Sequence, residues 1–271
     1  MRTWIKVPLG TALALACTGS VWGAQSLEGY LAPGEFDVTH ILEPAPRPGD
    51  PRYQTDRKIF RETRALIGTS RWALATRDAK LDTTSLLSDY SCAVGVTLTP
   101  EDAPRLVRVL VRASADTARE TNRAKAIYQR HRPYTIDRGQ ICQPRSELYD
   151  TKAGRVSYDY PSGHTTRGWT YALVLASLVP DRAQQILERG RAYGDSRFVC
   201  GAHNESAVEA GMLSATATMT AIAGKPAYQA DLADARAELT VLRANGTPPQ
   251  GCAAEANLIA QRVMPKLSRM R

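Results

Sequence analysis

Three short stretches hold side chains whose types and spacing suit chemistry on an anion. In "KAIYQRHRP" (125–133), Lys125 and Arg132 lie seven residues apart. Read as helix, seven residues is two turns, which puts both cations on one face, with Pro133 ending the helix just after Arg132. In "YPSGHTTRGW" (160–169), Pro161, Ser162 and Gly163 form a turn, with a helix starting near His164. A helix N-terminus offers free N–H groups and a positive dipole end, and Gly163 permits close backbone approach. In "SRFVCGAHNES" (196–206), Arg197 precedes His203 by six residues. His203 is read as standing at the start of a helix of small residues, whose dipole keeps its imidazole neutral and nucleophilic. Each stretch taken alone fits an ordinary surface or turn. Together they supply three cations, a donor-rich turn and two of the chain's four histidines. Phosphoryl transfer needs that inventory: cations for the oxygens, one histidine to attack, and another to protonate the leaving group. His40 and His131 fall outside these stretches and are read as structural.

The elements that must position these groups read as helices. Apolar residues recur at three- and four-residue steps over 55–67, 69–90 and 101–131. Thr99 is expected as the N-cap of the third, with Pro100 in its first turn. Residues 134–160 show no clear period and read as a long loop at the pocket mouth. Helices follow at 165–180, 181–194 (capped by Asp181), 203–224, 226–246 and near 252–268. Strand signals are almost absent. The expected fold class is all-α, a single-domain helical bundle without repeats.

The first 24 residues, with Arg2 and Lys6 before the apolar run Val7 to Cys17, read as a secretory signal peptide that is removed. Lipoprotein processing at Cys17 is the lesser alternative. Residues 25–51 carry five prolines and read as an irregular arm lying on the domain, which spans 52–271. The localisation expected is periplasmic or secreted, with no membrane span. Net charge is +8, or +6 once the two basic residues of the leader are gone. The positive charges are scattered and aromatics are sparse, so no nucleic-acid surface is expected. Four cysteines remain after export, suggesting two disulfides, and three connectivities are open. Cys142 and Cys200 each lie close to one of the phosphate-binding stretches, so they are paired, leaving Cys92 with Cys252. No cysteine or histidine spacing suits a metal.

The order Lys-x6-Arg-Pro, Pro-Ser-Gly-His, Ser-Arg-x5-His resembles the signature of the type-2 phosphatidic acid phosphatase superfamily. The gaps agree: 27 residues separate Pro133 from Pro161, and 31 separate His164 from Ser196. The similarity runs from about residue 110 to 243 and is strongest to the bacterial class A non-specific acid phosphatases. That resemblance implies a helical bundle of the acid phosphatase and vanadium haloperoxidase type, without cofactor or metal. It implies His203 as a nucleophile forming a phosphohistidine and His164 as general acid. Lys125, Arg132, Ser162, Gly163 and Arg197 would hold the phosphate. Substrates would be small phosphomonoesters (nucleotides, sugar or aryl phosphates), hydrolysed with broad specificity, with phosphotransfer to alcohols as a further activity. Inorganic phosphate or vanadate would inhibit, and the family is often dimeric. One position departs from the pattern: the Asp expected four residues after His203 is Ala207. Glu209, Glu205 and Ser206 are the candidate substitutes, and a weakened or non-catalytic phosphate-binding homologue is the alternative function.

Overall fold

A computed structural model describes Met1 and residues 28–265. The segment expected to be a signal peptide, its expected cleavage point and Cys17 lie outside the described residues. Among the described residues nine α-helices run in chain order: α1 Pro51–Thr63, α2 Ser70–Arg77, α3 Thr83–Val94, α4 Pro104–Tyr128, α5 Gly163–Leu178, α6 Ala183–Cys200, α7 Glu205–Ile222, α8 Pro226–Asn245 and α9 Cys252–Ile259. The single sheet among the described residues is a two-residue antiparallel pair, β1 Tyr149–Asp150 and β2 Arg155–Val156. The all-α expectation holds.

Helix α5 is the centre of the bundle. It packs on α4, α6 and α7 and touches α3 and α8. Its sequence is apolar or small nearly all round, which suits a helix buried on several sides. Close approach depends on glycine: a Cβ on Gly168 would stand 2.3 Å from Cδ1 of Tyr193 on α6. Helix α4 shows the opposite pattern, a stripe of Leu106, Val109, Leu110, Ala113, Thr117, Thr121 and Ala124 buried at helical spacing. Hydroxyls join the three helices at mid-height. Thr121 donates to Thr166 at 3.0 Å and lies 3.2 Å from Ser214, and Thr170 donates to Thr117 at 3.0 Å.

Residues of the described N-terminal stretch contact the helices. The carboxylate of Asp116 accepts from the amides of Tyr30 and Leu31, and that of Glu120 accepts from the Val38 amide. Val38, Leu42 and Ala45 of the arm pack with Ala124, Tyr160, Ala207 and Ala210. Both expected disulfides are formed, Cys142–Cys200 and Cys92–Cys252.

Several element boundaries differ from the sequence reading, each for a local reason. The expected helix 69–90 is two helices, broken at 78–82. Asp78 is fully buried there as the acceptor for Arg189 and Ser196, and Asp82 caps α3 by accepting from the Ser85 amide. Thr99 caps only a short turn, accepting from the Asp102 amide, while α4 starts at Pro104. Asp181 lies in a 3-10 turn and pairs with Arg243 instead of capping α6. Helix α6 runs six residues past its expected end, to Cys200, closed by Gly201 at φ 79°. Helix α4 stops at Tyr128, where Gln129 turns left-handed at φ 48°. Arg132 therefore stands beyond the helix in extended backbone. It converges with Lys125 through that turn, and not along one helical face.

Candidate active site

The site forms where four chain segments meet: the end of α4, the start of α5, the end of α6 and the approach to α7. Lys125, Arg132, Gly163, His164 and His203 line one cavity of about 460 Å³. The loop 134–160 supplies part of its wall through Glu147, Leu148, Asp150, Arg155, Ser157 and Tyr158. That matches the expectation for the loop. His40 and His131 are exposed and line no part of this cavity.

Ser162 caps α5: its Oγ accepts from the Thr165 amide at 3.3 Å and from the Thr165 hydroxyl at 2.9 Å. The cap leaves the amides of the first two helical residues, Gly163 and His164, without partners inside the helix. A Cβ on Gly163 would meet nothing closer than Lys125 Cε at 3.8 Å, so this end of α5 opens toward the lysine.

Lys125 and Arg132 are held mainly by main-chain oxygens. Lys125 Nζ donates to the carbonyls of Tyr158 and Asp159. Arg132 donates to the carbonyls of Ser157 (2.7 Å) and Ala202 (2.8 Å) and to the Ser157 hydroxyl (2.8 Å). Arg197 is fully buried, and Ser196 beside it is anchored by Arg71 and Asp78. Arg197 Nη2 donates to Gln143 Oε1, while its Nε and Nη1 find no acceptor among the described residues. Arg197 does not line the cavity, yet its charge acts on both histidines. Buried donors without acceptors are rare and costly, so these two need a chemical reason. Burial pushes Arg197 down to about 10 and, with Arg132 alongside, Lys125 down to about 7.

The two histidine rings lie 6.4 Å apart, centroid to centroid. His203 precedes Asn204, the N-cap of α7, so it sits just before the helix and not within its first turn. Its Nε2 lies 3.0 Å from Arg132 Nη1. A guanidinium only donates, so Nε2 must carry the lone pair. Its Nδ1 lies 2.8 Å from the Asp159 carbonyl and 2.9 Å from Asp159 Oδ1, both acceptors, so Nδ1 carries the proton. His164 Nε2 lies 3.1 Å from the Ala79 carbonyl and holds its proton there. Burial pushes both histidines well below their ordinary range. For His203, Arg132, Lys125 and Arg197 add to the push; for His164, Arg197, His203 and Arg132 do.

Asp159 is the group that the sequence reading missed. It is fully buried, accepts from the Asn204 amide (3.2 Å) and side chain (2.7 Å), and lies 3.7 Å from Arg130. The three groups named as substitutes point elsewhere. Glu209 pairs with Arg52, and Glu205 hydrogen-bonds Glu209 and is pushed up to about 8, chiefly by burial. Ser206 donates to Asp56 and accepts from Arg130. The position of Asp159 in "DYPSGH", directly before the turn motif, was the available signal; only the fold shows that this loop runs beside His203.

The PAP2 superfamily pattern matches residues 107–229, a span that holds every cation and histidine of the site. The chain is 41% identical to the acid phosphatase of Zymomonas mobilis over 255 residues, 90% of this chain and 95% of that protein. It is 33% identical to the non-specific acid phosphatase of Salmonella typhimurium, over 80% of this chain and 86% of the relative. The non-specific acid phosphatase of Providencia stuartii is 32% identical over 77% of this chain and 83% of its own length. Shared motifs, an α-helical architecture and relatives matched over nearly their whole length agree: the chain belongs to the PAP2 superfamily, alongside its bacterial acid phosphatases.

Proposed function

We propose that the protein is an exported acid phosphatase, a phosphoric monoester hydrolase of broad specificity that works through a phosphohistidine. The enzyme class is that of the relatives described above, each of which is named an acid phosphatase. The observation that carries the mechanism is the protonation pattern of His203: proton on Nδ1, lone pair on Nε2, in a cavity walled by Lys125 and Arg132.

A phosphate group enters with its oxygens toward Lys125, Arg132 and the Gly163 and His164 amides, drawing Arg132 Nη1 away from Nε2, while Arg197, outside the cavity lining, contributes its charge. His203 Nε2 attacks phosphorus, forming the N–P bond as the ester P–O bond breaks. His164 gives a proton to the departing alkoxide or aryloxide. Its Nε2–H stays on the Ala79 carbonyl, so Nδ1 is the nitrogen that exchanges the proton. The anion reverses the field of the three cations on His164, raising its pKa so that it can act as an acid. Water then attacks phosphorus, gives its proton to His164, and the N–P bond breaks to release inorganic phosphate. An alcohol in place of water gives the phosphotransferase reaction. No step calls on a metal.

The reading as a non-catalytic phosphate binder rested on Ala207. With Asp159 against His203 Nδ1, no specific observation favours it. The test is hydrolysis of an aryl phosphate with chelator present at about pH 5–6, below the second ionisation of the ester. Turnover is expected, with a loss of about 10³-fold or more in His203→Ala. Turnover no greater than that of the variant would refute the proposal.

A further inference from the structure

We infer that Asp159 is the positioning residue of the nucleophile, supplying from the loop before α5 the carboxylate that α7 lacks at Ala207. The inference rests on the phosphohistidine reading above. Three observations carry it. The carboxylate is fully buried, with Oδ1 2.9 Å from His203 Nδ1. It is itself held in place, through the Asn204 amide and side chain and through Arg130, whose other amino group donates to Asp56 at 2.7 Å. Position 207, in contrast, is closed to a charge: Ala207 is fully buried in the apolar cluster of Val38, Leu42, Ala45, Ala124 and Tyr160.

The geometry divides the work between two acceptors of one residue. The Asp159 carbonyl, 2.8 Å from Nδ1, suffices to hold the ring tautomer. The carboxylate adds a negative charge beside the ring as Nε2 bonds to phosphorus and positive charge develops on the imidazole. Neutralising the carboxylate therefore leaves the tautomer in place and removes the charge. The loss should fall short of the about 10⁴-fold that accompanies a wrong tautomer in a catalytic triad.

The test uses the full-length protein with Asp159→Asn. An about 10²- to 10³-fold fall in kcat is expected. Inhibition by vanadate, a mimic of five-coordinate phosphorus that bonds to the nucleophile, should weaken by a similar factor. Inhibition by inorganic phosphate, held by the cations and the α5 amides without a bond to His203, should change less than about threefold. A folded Asp159→Asn protein with kcat within about threefold of the parent would overturn the inference, as would equal weakening of phosphate and vanadate. Should the variant fail to fold, the unsubstituted protein decides. Proton NMR with vanadate bound is expected to show a strongly deshielded His203 Nδ1 proton of the histidine–carboxylate kind, absent from His203→Ala. Its absence from the parent would overturn the inference. An inactive parent protein would instead sink the phosphatase reading, so the two failures are distinct.

Discussion

At the scale of single residues, the site sets charge against burial. Lys125 is the cation whose charge falls within the working range. Burial and the neighbouring Arg132 lower it to about 7, and Asp159 opposes them only in part. A lysine with a lowered pKa is charged below that value and neutral above it, so its proposed grip on phosphate should weaken as pH rises through about 7. This loss belongs to the free protein and should appear in kcat/KM. We expect kcat/KM to fall about tenfold between about pH 7 and 9, through a rising KM. In Lys125→Arg, whose guanidinium stays charged, that limb of the normalised profile should flatten. An unchanged profile shape would assign the limb to another group. On the acid side, His203 is held well below its ordinary range, so the proposed nucleophile stays neutral in mild acid.

At the scale of elements, precision comes from close helix contacts at small residues. The turn that carries Gly163 and His164 rests on α7. The Ser162 amide donates to the Ala207 carbonyl at 2.8 Å, and a Cβ on Gly211 would stand 2.8 Å from the Ser162 carbonyl. That neighbour is backbone and cannot rotate away, so Gly211→Ala must shift the turn itself. Overpacking of this kind costs about 1–3 kcal/mol. The displaced amides and His164 should lower kcat/KM by about 10- to 100-fold. Gly224→Ala is the control, since nothing lies within 4 Å of a Cβ there, and it should leave activity unchanged. Equal effects of the two substitutions would show that the α5–α7 contact does not position the site.

At the scale of the whole molecule, two disulfides do different work. Cys142–Cys200 joins the loop to the end of α6 across a separation of 58 residues. The Cys142 amide also donates to the Cys200 carbonyl, and the adjacent Gln143 accepts from Arg197. Cys92–Cys252 ties α3 to α9, away from the cavity. On chain entropy alone each bridge is worth about 4–5 kcal/mol. Both double Cys→Ser variants should therefore lose thermal stability. The Cys142/Cys200 pair should also weaken phosphate inhibition severalfold, since the support of Arg197 loosens, while the Cys92/Cys252 pair should not. Comparing Tm and the phosphate inhibition constant of the two variants checks this.

Much of the molecule was legible in the residues themselves. Helical periodicity, the turn before α5, the cysteine pairing and the three motif stretches depend on local spacing or on motifs short enough to read directly. Boundaries were misread where a buried partner from another element overrode local preference. Asp78 breaks the 69–90 run because Arg189 and Ser196 claim its carboxylate, and α6 continues past Gly194 because Arg71, Asp78 and Gln143 await Ser196 and Arg197. The partner of His203 lay beyond any local reading. Asp159 is 44 residues away in the chain, and a carboxylate's role there is set by distance in space, which only the packing of the loop against the approach to α7 decides.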